Sequence, residues 1–97
     1  MKELFAAERT LTAVDGRPEM LLYSVLVDNV EQGAEDEFCE SYGVQIVRRG
    51  TAGKEITAVP NITTSTRVID ELMEQLISGL VTPSSLKNVV DDWLAVH

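Results

Sequence analysis

The spacing of apolar residues changes once along this chain, near residue 64. Before that point, segments rich in Leu, Val, Ile and Tyr carry apolar residues at every second position, as β-strands do. After it, apolar residues recur at intervals of three and four, which places them on one side of an α-helix. Strands that all precede the helices, rather than alternating with them, are typical of an α+β fold built on an antiparallel sheet.

The strand-forming half predicts four strands in series, covering residues 3–14, 21–27, 38–49 and 54–59. The Asp-Gly-Arg-Pro sequence at 15–18 predicts a tight turn after the first strand, because Asp-Gly accommodates positive φ angles. Gly50 and Gly53 predict a hairpin loop before the fourth strand. Pro60 predicts the end of that strand, since proline has no N–H to donate to a sheet. The acidic residues 28–40 are expected to form a solvated loop.

The helix-forming half predicts two amphipathic helices joined by a short connection. The apolar residues of the first recur from Val68 to Leu80, with Ser65 or Thr64 as its N-cap and Gly79 allowing a left-handed exit. The second begins at Pro83, because the first helical position tolerates a missing N–H. Its predicted buried residues are Leu86, Val89, Val90, Trp93 and Leu94.

A chain of 97 residues has room for one hydrophobic core, so a single α+β domain over residues 1–97 is expected. We predict a four-stranded antiparallel sheet (ββββ) followed by a C-terminal helical hairpin (αα) packed on one face.

Sixteen acidic residues against eight basic ones give the chain a formal charge of −8. Such a field repels nucleic-acid phosphates and anionic membrane surfaces, so we expect no direct nucleic-acid partner and no membrane partner. No apolar run approaches the roughly 18 to 20 residues of a membrane span, and the start of the chain does not resemble a signal peptide. The lone Cys39 cannot form an internal disulfide, and these features together predict a cytoplasmic protein. Arg48 and Arg49, the only adjacent basic pair, are interpreted as solubilising charges rather than an anion site.

The sequence contains no motif for catalysis or for binding a cofactor or metal, so we predict no enzyme activity, no cofactor and no metal site. His97, the only histidine, is the last residue, where a general base is poorly held. Cys39 lies beside carboxylates, which make a thiol a poorer nucleophile. The acidic segment lacks the spacing of an EF-hand, because Val30 stands at the third ligand position counted from Asp28.

Four segments of the chain resemble a known family. They are Tyr42-Gly43-Val44-Gln45-Ile46-Val47 in a strand, a segment at Ile62 that opens a helix, Val81-Thr82-Pro83 between helices, and Leu86-Lys87-Asn88-Val89-Val90-Asp91-Asp92-Trp93-Leu94 at the end. On these segments, residues 22–94 are similar to a family of short uncharacterised proteins from Clostridia-type Gram-positive bacteria, known only as a domain of unknown function. The resemblance implies a bacterial origin and the extent of the domain. It implies no activity, because such a family has no catalytic residues to transfer.

The second predicted strand has apolar residues on both faces, and two helices can cover only one of them. Leu22 and Leu26 point away from Tyr23 and Val25, so they are predicted interface residues, with Trp93 as a third. The predicted assembly is a homodimer that uses this face or an exposed sheet edge.

We therefore predict a non-catalytic protein-interaction or regulatory module with a protein partner of unknown identity. A variant of this hypothesis is an acidic mimic of nucleic acid, whose binding to a basic partner would collapse in salt. The alternative is a small enzyme or ligand-binding domain that uses carboxylates gathered by the fold. A pocket containing two acids with Tyr42 or Tyr23 would favour that alternative.

Overall fold

The computed structural model describes residues 2–32, 37–51 and 53–96, with side chains for all of these except 30–32, 37 and 38. Four strands precede two helices: β1 (Lys2–Thr12), β2 (Pro18–Gln32), β3 (Glu37–Gly50), β4 (Gly53–Thr63), α1 (Thr66–Ser78) and α2 (Pro83–Val96). The strands form one antiparallel sheet in the order β1-β2-β3-β4. The predicted α+β class and the predicted order of elements are confirmed.

Both helices pack on one face of the sheet, called here the helix-covered face. The core combines alternate residues of the two central strands with the inner sides of the helices: Leu21, Tyr23, Val44, Ile46, Ile69, Leu72, Met73, Leu76, Leu86 and Val90. The hydroxyl of Tyr23 donates to the carbonyl oxygen of Val81 at 2.9 Å, so its polar tip is satisfied within the core. The intervening residues of β2 and β3 point to the opposite side, called here the helix-free face.

The prediction of a solvated loop is wrong for residues 28–32 and 37–40, which lie in strands, while residues 33–36 of that prediction lie outside the described residues. β2 continues to Gln32, β3 begins at Glu37, and their pairing runs outward from Asp28 opposite Ser41. Acidic residues disfavour strands only weakly, and backbone pairing between the two strands offsets that preference. Neither β1 nor β4 pairs with residues 28–32 or 37–41, which therefore form a two-stranded arm extending beyond the sheet.

The prediction that Pro60 ends the fourth strand is also wrong, since β4 continues to Thr63. An edge strand tolerates proline because one of its sides needs no N–H donor. The β3–β4 register shifts between Tyr42 and Val44, and Asn61 takes a positive φ of 54° in the same stretch. Asparagine accepts this left-handed conformation more readily than most residues. The strand therefore continues beyond Pro60 with a local irregularity in its pairing.

The beginning of α1 is capped as predicted. Ser65 is the N-cap, and its Oγ accepts a hydrogen bond from the backbone N–H of Val68 at 3.2 Å. The predicted left-handed exit at Gly79 is wrong, because Gly79 has a φ of −85° and Leu80 takes the left-handed conformation, with a φ of 51°. The N–H groups of Leu80 and the following residue donate to carbonyls in the last turn of the helix, which is the Schellman pattern.

The second helix begins with a proline, as predicted. Leu86 and Val90 are buried, while Val89 and Trp93 are half-buried and pack against the core. The predicted burial of Leu94 is wrong, since its side chain is 44% exposed. Leu94 follows Trp93 directly, and one residue is 100° of helix rotation, which turns Leu94 away from the sheet.

Candidate protein-binding surface

The helix-free face carries large apolar side chains that remain open to solvent. Phe5, Met20 and Ile56 are 63%, 37% and 52% exposed. Residues paired across neighbouring strands point to the same face of the sheet. The partners of these three residues lie between core residues along β2 and β3, so all three side chains are on the side away from the helices. Together with the half-buried Leu22 they form what we call the apolar patch. An exposed apolar surface of this kind is typical of a protein-binding site.

The three predicted interface residues lie in two different places. Leu22 and Leu26 are both on the helix-free face, as their alternation predicts. Leu22 belongs to the apolar patch, whereas Leu26 is only 4% exposed. Trp93 is on α2, on the other side of the sheet, where it packs against the core. The structure therefore brings together two of these residues and leaves only Leu22 in exposed surroundings.

The backbone of β4 covers the end of the helix-free face that contains Leu26. Gly43 is the register partner of Leu26, and a β-carbon on Gly43 would overlap the carbonyl oxygen of Val59 and the α-carbon of Pro60. The chain itself therefore closes over this end of the face. The open apolar surface lies further along the strands, between Phe5 on β1 and Ile56 on β4.

Charged residues flank the apolar patch with opposite signs on its two sides. Glu8 on β1 is the register partner of Leu22, on the same face. Arg49 of β3 and Lys54 of β4 are register partners of each other on the opposite side of the patch. All three side chains are exposed, and none forms an ion pair with another residue that the structure describes. The face thus has an acidic edge along β1 and a basic edge toward β4.

A groove between β1 and α1 opens on the helix-covered face. It includes a cavity of about 340 Å³ with an apolar floor formed by Val25, Met73 and Ile77. Arg9 of β1 crosses one end of it and donates through Nη1 to the carbonyl oxygen of Ile77 at 3.3 Å. Asp70 lies on the helical rim. The groove is therefore apolar below and charged at its margins.

The groove continues into a cavity of about 390 Å³ that gathers two carboxylates around a tyrosine. Glu40, Tyr42 and Asp70 line it, together with Lys2. The hydroxyl of Tyr42 lies 3.4 Å from Oε1 of Glu40. Burial, followed by the nearby Glu40 charge, raises the pKa of Tyr42 above its ordinary value. This is the combination of two acids and Tyr42 that the ligand-binding alternative requires.

Arg48 is held by an acidic partner and does not act as a free solubilising charge. Its guanidinium makes a two-point contact with the carboxylate of Glu19, with Nη2 to Oε1 at 3.1 Å. The hydrogen bonds from Arg48 lower the pKa of Glu19 below its ordinary value. Arg49 points to the other face, so the adjacent pair does not converge on one anion.

The remaining candidate groups are spread across the chain. Cys39 is a free, half-buried thiol on the two-stranded arm, and His97 lies outside the described residues. Within the described ranges, no three His, Cys, Asp or Glu side chains are grouped so that they could hold a metal ion. The acidic segment 28–40, which lacks the spacing of an EF-hand, includes residues 33–36, which are also outside those ranges.

Sequence reasoning missed Phe5 and Ile56, the most exposed members of the apolar patch. Both sit in edge strands, where a neighbour is missing on one side. For Ile56, the alternation of side chains along the strand does predict the face, because it places Ile56 on the opposite face of the sheet from Thr57 and Val59. For Phe5 the alternation is broken, because the β1–β2 register shifts between Phe5 and Ala7.

None of the helices that the structure describes is both long enough and apolar enough to cross a membrane. A search of curated proteins and a search of solved structures found no significant match. The model of a family of unknown function, DUF6514, matches residues 1–96. Since that match spans almost the whole chain, this protein belongs to the DUF6514 family.

Proposed function

We propose that this chain is a non-catalytic protein-interaction or regulatory module that binds protein through the helix-free face of its sheet. The observation that carries the proposal is the apolar patch, in which Phe5 and Ile56 are more than half exposed on a face that the helices do not cover. Burial of apolar area stabilises association by about 25 cal/mol per Å². A bacterial, cytoplasmic setting is part of the same proposal and rests on the resemblance and the lone cysteine.

The test compares the patch with another exposed apolar position. Wild-type protein, a Phe5→Ser/Ile56→Ser variant and a Leu94→Ser variant are immobilised and exposed to extract from the native cell. Leu94 is a matched control because its side chain is 44% exposed on α2, away from the patch. We expect a protein held by the wild type and by Leu94→Ser to be lost from the patch variant. Equal retention by all three would contradict the proposal.

Salt dependence separates an apolar contact from mimicry of nucleic acid. Binding through the patch should persist when ionic strength is raised, because apolar burial is not screened. Binding of a basic partner to the acidic surface should collapse, since the Debye length falls to about 3 Å at 1 M salt. A partner lost in salt but kept by the patch variant would favour the mimic.

A second candidate function is the binding of a small cationic ligand in the cavity around Tyr42. The observation in its favour is the meeting of Glu40, Asp70 and the Tyr42 hydroxyl over an apolar floor. Titration with phenethylamine, and with phenylacetate as a control of opposite charge, is the test. Shifts in the NMR signals of Tyr42 and its neighbours with the amine alone would support this function. No shift with either compound would exclude this ligand class.

A further inference from the structure

We infer that the partner of the helix-free face is a second copy of this chain, bound face to face about a two-fold axis that runs along the strands. This inference rests on the proposed function, because it names the partner of the same face. In the pair, Glu8 of each copy lies against Arg49 and Lys54 of the other, and the two apolar patches meet between these contacts.

The charges on the face are arranged so that a partner of complementary charge would pair with both of its edges. Arg49 and Lys54 stand directly opposite each other on neighbouring strands, and like charges in this position destabilise a sheet. No carboxylate among the described residues forms an ion pair with either of them. At the other edge, Glu8 likewise forms no ion pair with any residue that the structure describes. A partner that supplies acids on one side and bases on the other satisfies both edges.

A second copy fits this pattern only in one orientation. When two aligned sheets stack on identical faces, the two-fold axis runs either along the strands or across them. An axis across the strands puts β1 over β1, so acidic edge meets acidic edge and basic edge meets basic edge. An axis along the strands puts β1 of one copy over β4 of the other, and opposite charges meet twice.

The spacings of the sheet allow these contacts. Glu8 belongs to the cross-strand row of Ile56, and Lys54 is two residues further along β4, an offset of about 7 Å at 3.4 Å per residue. Stacked sheets lie about 10 Å apart, which is the combined reach of side chains from both faces. The apolar residues of the patch fill the space between them, as in a β-sandwich.

The net charge of −8 does not oppose this pairing at the interface itself. The apolar patch itself is flanked by one acid, Glu8, and by two bases, Arg49 and Lys54, whereas Glu3 and Asp28 lie on the same face toward the end that contains Leu26. The helices, on the far side of the sheet, carry a net charge of −3, from Asp70, Glu71, Glu74, Asp91 and Asp92 against Arg67 and Lys87. Six further acids, with no base among them, belong to residues 28–40, the segment of the two-stranded arm, outside the apolar patch. Longer-range repulsion between copies is screened beyond about 10 Å at 0.1 M salt.

Sedimentation equilibrium on charge-reversed variants tests both the partner and the orientation. We expect the wild type to show about twice the monomer mass of 10.7 kDa at micromolar concentration. Glu8→Lys alone and Lys54→Glu alone should each weaken the dimer by about tenfold, since every dimer contains the contact twice. The double variant Glu8→Lys/Lys54→Glu should recover to within about threefold of wild type, because the pair is restored with its signs exchanged.

A control variant, Glu74→Lys, makes the same charge change on α1 and should alter dimerisation by less than about threefold. All of these positions are exposed, and circular dichroism of each variant checks that it folds. A stronger dimer in Glu8→Lys, or a double variant as weak as the singles, overturns the orientation along the strands. A wild type that stays monomeric up to about 100 μM overturns the second copy as partner. A monomeric wild type would not contradict the proposed function, which the extract experiment with the Phe5→Ser/Ile56→Ser variant tests. The dimer and the protein-binding function can therefore fail separately.

Discussion

The backbone carbonyl of Val59 occupies the space that a β-carbon on Gly43 would need. This close approach exists because β4 closes over the helix-free face where its register with β3 shifts. Gly43→Ala should therefore force the strands apart and cost about 1–3 kcal/mol of unfolding free energy, the usual range for overpacking. Urea denaturation measures the loss. A change below about 0.5 kcal/mol would show that the strands separate freely at this point.

Leu76 should be among the most costly positions to truncate. Its side chain is fully buried between α1 and the sheet, so Leu76→Ala should cost about 2–5 kcal/mol. Leu94→Ala removes the same atoms from a site that is 44% exposed, and it should cost under about 1 kcal/mol. Thermal and urea unfolding of the two variants give the comparison. Equal losses would place Leu76 outside the core.

A glutamate introduced at Leu26 should lower folding stability, whereas a glutamate introduced at Ile56 should affect dimerisation. Leu26 is 4% exposed, so Leu26→Glu buries a carboxylate and should cost about 3 kcal/mol or more of stability. Ile56 is 52% exposed, so Ile56→Glu should change stability by about 1 kcal/mol at most and should abolish the proposed dimer. Unfolding and sedimentation measurements on each variant separate the two effects. If Leu26→Glu folded normally, that end of the face would be open after all.

The Glu19–Arg48 pair should make stability fall in acid. Because hydrogen bonds from Arg48 depress the pKa of Glu19, the ionised carboxylate favours the folded state. That contribution is fully present above the ordinary carboxyl pKa of 4.5 and is lost as the pH falls through the lower pKa of the folded protein. Glu19→Gln should be less stable than wild type at pH 7, with a gap that narrows toward pH 3. Urea midpoints at the two pH values measure it, with Glu74→Gln as an exposed control; a constant gap would contradict this linkage.

The fold followed from local patterns, and the errors have physical causes. The shift from a period of two to a period of 3.6 predicted the class, and Ser65 predicted the start of α1. The prediction that Pro60 ends β4 was wrong because a proline interrupts a central strand but is tolerated in an edge strand. No local sequence pattern reveals which strand lies at the edge. The acidic stretch misled because cross-strand pairing of residues 28–32 with 37–41 is a non-local contact.

The candidate site was harder to predict than the fold, for a related reason. Alternation correctly placed Leu22 and Leu26 on one face, but exposure on that face depends on what the rest of the chain covers. The closing of β4 over Gly43 buries one end of the face and leaves the other open, and it depends on a register shift. Register is not encoded in the spacing of apolar residues, so the face of Phe5 emerged only from the structure, and the exposure of Ile56 depends on what the rest of the chain covers.

The two-stranded arm formed by residues 28–32 and 37–41 gives the proposed dimer a direction. A rotation about an axis along the strands leaves the strand direction unchanged, so both arms project from the same end. The opposite end presents the two β1–β2 turns instead. The arms include Asp28 and Glu40, so the end of the dimer that carries the arms is more negative than the other end, and the two ends differ in structure. A larger structure built from such dimers would have polarity, with successive dimers distinguishing front from back.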